Sequence, residues 1–214
     1  VGAAATAAAL DRLTAGRPPV GIEPAHWAWF TRLAAAYPHD PAVLVALLLN
    51  HVRLAPGEAL ALPAGTVHAY LGGLAVEAMA ASDNVLRGGL TAKPVDVARF
   101  VDIVDARLRP EPTRGTPDDD GGVSLPSPAP HFAWRVFDGP LATTTPAAVQ
   151  IGLCTAGRVE IDDGERTLAL GPGGAYYTCA ASPPADIRGD GTLHLITPGG
   201  VRAESGADGR SRRT

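Results

Sequence analysis

The sequence predicts a mainly β fold, with a helical segment at the N-terminus and two β units joined by a linker, and three observations lead there. Short runs rich in apolar, β-branched and aromatic residues follow Pro130, each bounded by Gly, Asp or Pro turn signals. Two further runs, Ala59 to Leu62 and Val67 to Leu71, are set off by the turn signals Pro56-Gly57 and Pro63-Ala64-Gly65. The first 46 residues instead carry alanine-rich or helically periodic apolar patterns.

Taken in order, Val1 to Leu13 is alanine-rich and helix-compatible, and a start without methionine leads us to expect a preceding segment. A helix is expected from Pro24, a favoured first-turn residue, to Tyr37. Trp27, Phe30, Leu33 or Ala34 and Tyr37 recur on one face until Pro38 ends it. Asp40-Pro41 is read as the cap of a short turn before a strand from Leu48 to Leu54. Pro56 presets φ and Gly57 supplies φ > 0 in the next turn, so Ala59 to Leu62 follows as a strand buried on both faces. In the strand expected from Val67 to Leu71, alternation sends His68 and Tyr70 to one face. Val97, Phe100, Val101, Val104 and Leu108 have helical spacing, and 111–130, rich in Pro, Gly and Asp, reads as a linker. Strands are then expected at 132–137, 149–154, 158–161, 167–170, 175–179 and 192–196, as in a small sandwich or barrel. The resulting division is a helical segment at 1–46, a β unit at 47–110, the linker, a second β unit at 131–205 and a disordered tail at 206–214.

Composition narrows the function. With 46% hydrophobic and 19% charged residues the chain has ordinary globular chemistry. A net charge of -4 disfavours nucleic acid as a partner, and no apolar run approaches the ~18 residues needed to span a membrane. Cys154 and Cys179 are read as two buried thiols of a protein in the reducing cytoplasm. His26 and His39 are read as surface or capping residues, lacking a second ligand type at metal-binding spacing. Asp118-Asp119-Asp120 invites a calcium reading, but it lacks the alternating oxygen ligands and terminal glutamate of an EF-hand loop and is read as solvated. Lys93 is the one lysine among 18 basic residues, which singles it out inside a polar cluster.

That cluster carries a resemblance. The spacing of Gly57, Pro63, Gly65 and His68 resembles the second signature motif of the cupins. The string Ser82-Asp83-Asn84-Val85-x-Arg87-x-Gly89-Leu90-Thr91-x-Lys93 is similar to that of the zinc-dependent mannose-6-phosphate isomerases of the cupin superfamily. Tyr37-Pro38-x-Asp40 and Leu47-Leu48-Leu49-Asn50 match as well, so the resemblance runs from about Tyr37 to Val97. It implies part of a cupin (jelly-roll) barrel, interrupted by the helical segment, and then a cupin-like C-terminal domain. That domain is expected to be metal-free, since Ala175-Tyr176-Tyr177 offers no histidine after Gly171-Pro172-Gly173.

The resemblance also implies interconversion of mannose 6-phosphate and fructose 6-phosphate, with Zn2+ as cofactor and a sugar phosphate as substrate. His68 matches the family's C-terminal zinc ligand and Arg87 its catalytic arginine; Lys93, Tyr70, Glu77 and Asp83 match residues lining the same pocket. Glu77 and Asp83 have two readings: proton transfer, or neutralisation of Arg87 and Lys93. The family's other zinc ligands, a Gln-x-His pair and an upstream glutamate, have no counterpart, because Gln150 is followed by Ile151 and Gly152. The chain thus resembles the C-terminal portion of the enzyme. Open barrel edges lead us to expect self-association or dependence on an N-terminal part. The alternative is a non-catalytic cupin module binding a sugar phosphate or a protein partner. A cupin oxygenase is disfavoured, since the remaining histidines lie far from His68 in sequence.

Overall fold

Alanine loses little side-chain entropy in a helix, and the alanine-rich start forms α1 (Ala3–Thr14) in the computed structural model, which describes residues 2–82, 85–127, 130–146 and 148–199. The chain divides into two units, one made of residues up to Leu54 with Leu62–Pro110, the other of Ala55–Ala61 with the chain from Glu111 onward. The expected tail at 206–214 lies outside the described residues.

The first unit holds the helices. In α2 (Pro24–Ala36) proline occupies the first turn, where its missing N–H costs nothing, and Phe30 and Ala34 face inward. Tyr37 falls just past the helix end and is exposed. The next segment differs from expectation: Ala42–Leu48 forms a helix, α3, where a turn and then a strand from Leu48 were expected. A short apolar run is ambiguous between the two periods, and burial of Val43 with Leu44 and Leu47 half-buried around it settles the helical one. Leu10, Phe30, Ala34 and Val43 form the core, and Leu13, Trp27, Leu33 and Leu90 pack against it.

Val67 to Leu71 forms no ladder, contrary to expectation, because no neighbouring backbone pairs with it among the described residues. Helix α4 (Val97–Ile103) is capped by Asp96, whose carboxylate accepts the Arg99 N–H at 3.1 Å. It stops short of Leu108 because the Asp105 N–H turns to the Gly65 carbonyl, 3.1 Å away.

The second unit is antiparallel sheet. β1 (Glu58–Ala59) is shorter than the expected strand at 59–62 and pairs with β2 (Thr113–Arg114). Strands β3 (Thr116–Pro117) and β4 (Val123–Leu125) follow, so 111–130, expected as a linker, contributes to the sheets. The larger sheet runs β3, β4, β5 (Phe132–Thr145), β9 (Ala185–Pro198), β6 (Gln150–Asp162) and β7 (Thr167–Leu170), with β8 (Ala175–Thr178) also paired to β6. The runs expected at 149–154 and 158–161 are one strand, with a bulge between Cys154 and Ala156. Gly157 makes this continuity possible: its φ is +66°, and a Cβ there would lie 2.1 Å from the Asp190 carbonyl oxygen on β9. What reads in sequence as a turn is a bend inside a strand.

Phe137, Leu141, Val159, Ile161, Ile187, Leu193 and Leu195 form the interior of the sheet unit together with Cys154 and Tyr176. The expectation of two buried thiols holds for Cys154 alone; Cys179 lies one residue beyond β8 and is exposed. Gln150 is buried, donates to the Pro146 carbonyl at 2.9 Å and accepts from the Tyr176 hydroxyl at 3.4 Å.

The aspartate run is also not merely solvated. Asp118 accepts from Arg135 Nε at 2.9 Å and from Ser124 Oγ, and Asp120 accepts from Arg135 Nη2. The guanidinium lies over the Phe137 ring, 4.8 Å from its centre. This grip uses the planar fork of arginine at two carboxylates and an aromatic face at once. Arg135→Lys is therefore expected to destabilise the sheet unit by about 1 kcal/mol, read as a lower urea midpoint; an unchanged midpoint would reduce the network to surface pairing.

Candidate functional site

The polar cluster singled out in the sequence lies within the helical unit, on non-helical backbone between Pro63 and α4. Its first member is set by a turn. The Thr66 N–H and hydroxyl both donate to the Pro63 carbonyl, at 3.2 and 2.7 Å. The Thr66 carbonyl in turn lies 3.0 Å from His68 Nδ1. A carbonyl only accepts, so this contact puts the proton on Nδ1 and leaves the Nε2 lone pair of an exposed ring for a ligand.

His68 and Tyr70 share a surface even without a strand, their ring centres 5.8 Å apart. The Tyr70 hydroxyl donates to Glu77 Oε1 at 2.6 Å. Loss of solvation around the phenol, and then the neighbouring carboxylate, push its pKa from 10.0 up to about 12. Tyr70 is nonetheless 69% exposed as a residue, and its 2.6 Å hydrogen bond to Glu77 is the firmer of these causes. Glu77 is thereby fixed in place as an acceptor.

Arg87 and Lys93 are exposed, and neither side chain has a hydrogen bond or ion pair with another described residue. Asp83, the remaining sequence candidate, lies outside the described residues. His39 is exposed, whereas His26 is half-buried, with Nε2 3.2 Å from the Ala46 carbonyl oxygen and its ring stacked on His51. No group of three or more His, Cys, Asp or Glu side chains able to hold a metal occurs among the described residues. The described residues thus fall short of the roughly three protein ligands of a catalytic zinc site.

Sequence reasoning missed one residue. Asp40, read as a cap and as part of the Tyr37-Pro38-x-Asp40 match but given no role in the site, accepts the Ala42 N–H at 2.9 Å and also the Leu90 N–H, 50 positions further on, at 2.6 Å. The local signal for the first bond was legible. The second leaves none except the glycine pair Gly88-Gly89 beside Arg87.

Mainly antiparallel sheet with few helices is the architecture this chain shares with solved phosphomannose isomerases. The Salmonella typhimurium enzyme bound to its substrate fructose 6-phosphate and to zinc matches with a TM-score of 0.75 and 32% identity, over 90% of this chain and 49% of that one. The Escherichia coli mannose-6-phosphate isomerase is 36% identical over 174 residues, 79% of this chain and 44% of the relative. Mannose-6-phosphate isomerase 1 of Arabidopsis thaliana is 46% identical over 86 residues, 40% of this chain and 20% of the relative. No family model matches. By these relationships the chain is homologous to mannose-6-phosphate isomerases over most of its own length, and it spans about half the length of the curated relatives it matches.

Two measurements probe the site. Because Tyr70 titrates at about 12, the phenolate absorbance at about pH 11 is expected to be nearly the same in the chain and in Tyr70→Phe, whereas an ordinary tyrosine would be mostly ionised there. Replacing Glu77 by Gln should bring that ionisation down in pH. In equilibrium dialysis the chain is expected to hold zinc weakly, through His68 alone; one tightly bound zinc per chain would contradict this.

Proposed function

We propose that this chain forms the C-terminal portion of an isomerase that interconverts mannose 6-phosphate and fructose 6-phosphate, with Arg87 as the catalytic residue. The observation that carries the reading is a pair of exposed cations, Arg87 and Lys93, without a side-chain partner among the described residues, on the stretch that carries the family string. Among the described residues neither side chain has an ion-paired or hydrogen-bonded partner, and a doubly charged sugar phosphate would supply the counter-charge.

Aldose–ketose isomerisation moves a hydrogen between adjacent carbons through an enediol, and so needs a proton carrier and a positive group for the developing oxyanion. Arg87 is permanently charged and planar, suited to hold two oxygens of the enediolate and unsuited to accept a proton. Lys93 supplies a point charge on a flexible stem. Glu77, held by the Tyr70 hydroxyl, and Asp83 are the carboxylates of the pocket, as proton carriers or as neutralising partners of the two cations. Zinc is bound in the solved Salmonella relative, and His68 Nε2 is this chain's contribution to such a centre. The ligand set described here does not complete one, and no step is assigned to the metal.

The domain reading belongs to the same proposal. Residues 47–110 are the C-terminal part of a catalytic cupin interrupted by the helical segment, and 131–205 form a metal-free cupin-like domain. The protein acts in the cytoplasm, as its free thiols suggest. No helix among the described residues is long and apolar enough to cross a membrane. A second reading, a non-catalytic module that binds a sugar phosphate or a protein partner, is favoured because no group of three or more metal-binding side chains occurs among the described residues. An in-frame Gln-x-His and glutamate upstream of this sequence would favour the enzyme over the module.

The decisive variant is Arg87→Lys in a polypeptide of full family length. If Arg87 stabilises charge that develops chiefly in the transition state, turnover falls roughly 10²-fold or more, well beyond the accompanying loss of fructose 6-phosphate affinity. Near-normal turnover with a lowered melting temperature would make Arg87 a structural residue.

A further inference from the structure

We infer that Asp40 is a positioning residue for Arg87 and Lys93, acting through the Gly88-Gly89-Leu90 backbone; the inference rests on the functional reading above. The feature that needs explaining is conformational. Leu90 has φ +54°, the one positive φ found at a non-glycine residue among those described, and Gly89 before it has φ +139°. A γ-branched residue is unfavourable there, and the conformation persists only where its surroundings fix it.

Those surroundings are specific. The Asp40 carboxylate takes the Leu90 N–H on Oδ2 at 2.6 Å and the Ala42 N–H, at the start of α3, on Oδ1 at 2.9 Å, so one charged group ties the loop to a helix. Gly89 lies so close to that helix that a Cβ would be 2.2 Å from the Ala42 Cβ and 2.9 Å from Asp40 Oδ1. Gly88 rests on α4: a Cβ there would be 2.5 Å from Phe100 Cζ. The Leu90 side chain packs against the helical core, and the Lys93 N–H donates to Thr91 Oγ1 at 3.1 Å.

Two adjacent glycines would ordinarily leave the preceding residue free to swing, since glycine carries the largest backbone freedom. Here both are pressed against helices and the residue after them is held by charge. The effect on the core is the burial of one leucine. The effect on the site is larger: Arg87 is attached directly to one end of the clamp and Lys93 lies three residues past the other. An arginine that must meet developing charge with planar geometry gains from a fixed Cα, because small misplacements cost catalysis heavily.

The test uses the chain with Asp40→Ala, Asp40→Asn, Arg87→Ala and the Asp40→Ala/Arg87→Ala double variant. Asn can accept only one of the two N–H bonds, so it retains part of the tie and guards against loss of fold. The expected result is that the Arg87 and Gly88 amide order parameters fall below about 0.6 in Asp40→Ala, and partly in Asp40→Asn, while those of α2 remain rigid. Affinity for fructose 6-phosphate should drop roughly tenfold in Asp40→Ala, and the double variant should bind no worse than Arg87→Ala alone. Rigid Arg87 and Gly88 amides in the Asp40 variants would overturn the inference. So would unchanged sugar-phosphate affinity in Asp40→Ala when Arg87→Ala weakens it. Failure of Arg87→Ala to affect binding would instead count against the functional reading, with the order parameters still deciding whether Asp40 fixes the loop.

Discussion

The sheet unit depends on one strand. β9 pairs with β5 along all fourteen of its residues on one side and with β6 from Asp186 to Ile196 on the other, so it is flanked by a ladder on both sides over most of its length. Glycines at 157, 189 and 191 let the β6 and β9 backbones approach where side chains would collide, and the strands bend there without interruption. Ile187 on one side of the bend and Leu193 on the other are both fully buried in the same core. The bend turns a long ladder into an enclosed interior.

The candidate site is held by different means. Val67 to Leu71, with His68 and Tyr70, has no ladder among the described residues, so the fixed points are single hydrogen bonds at chosen atoms: the Thr66 carbonyl on His68, Glu77 on Tyr70, and Asp40 on Leu90. Side chain to backbone ties of this kind order a loop locally and leave its polar side chains outward. A ladder would have consumed the same backbone groups and fixed the side chains only to alternate faces. Non-helical backbone can aim an imidazole and a guanidinium independently, as the proposed function would need.

What the sequence made legible follows from range. Turns and helix starts are local, and Pro24 and the Pro63 to Thr66 turn act within a few residues of where they were read. The site residues were legible as a string, because their spacing along the chain is itself the signal. Long-range facts left no such mark. The Asp40 to Leu90 bond spans 50 positions, and the hold of Asp118 and Asp120 on Arg135 crosses what reads as a linker. Helix α3 was misread for another reason: a short wholly apolar run satisfies both periods, and only packing of Val43 against Phe30 and Leu10 distinguishes them. Gly157 was misread as punctuation because a bend inside a strand and a turn between strands call for the same residue.

Two arginines show how position, rather than residue type, separates structure from chemistry. Arg135 is surrounded: two carboxylates take its donors and a phenyl ring covers its face, so its charge is spent within the fold. Arg87 is exposed, has no side-chain partner among the described residues, and emerges from backbone that is over-determined on both sides by helices. A cation whose purpose is stability finds its counter-charge in the fold and is rigid at the head group. One whose purpose is a transient negative charge must be rigid at the backbone and unsatisfied at the head group, since any permanent partner would compete with the oxyanion it waits for. Under the proposed function Arg87 has that second combination among the described residues, and the fixed Gly88-Gly89-Leu90 loop gives its backbone a defined geometry.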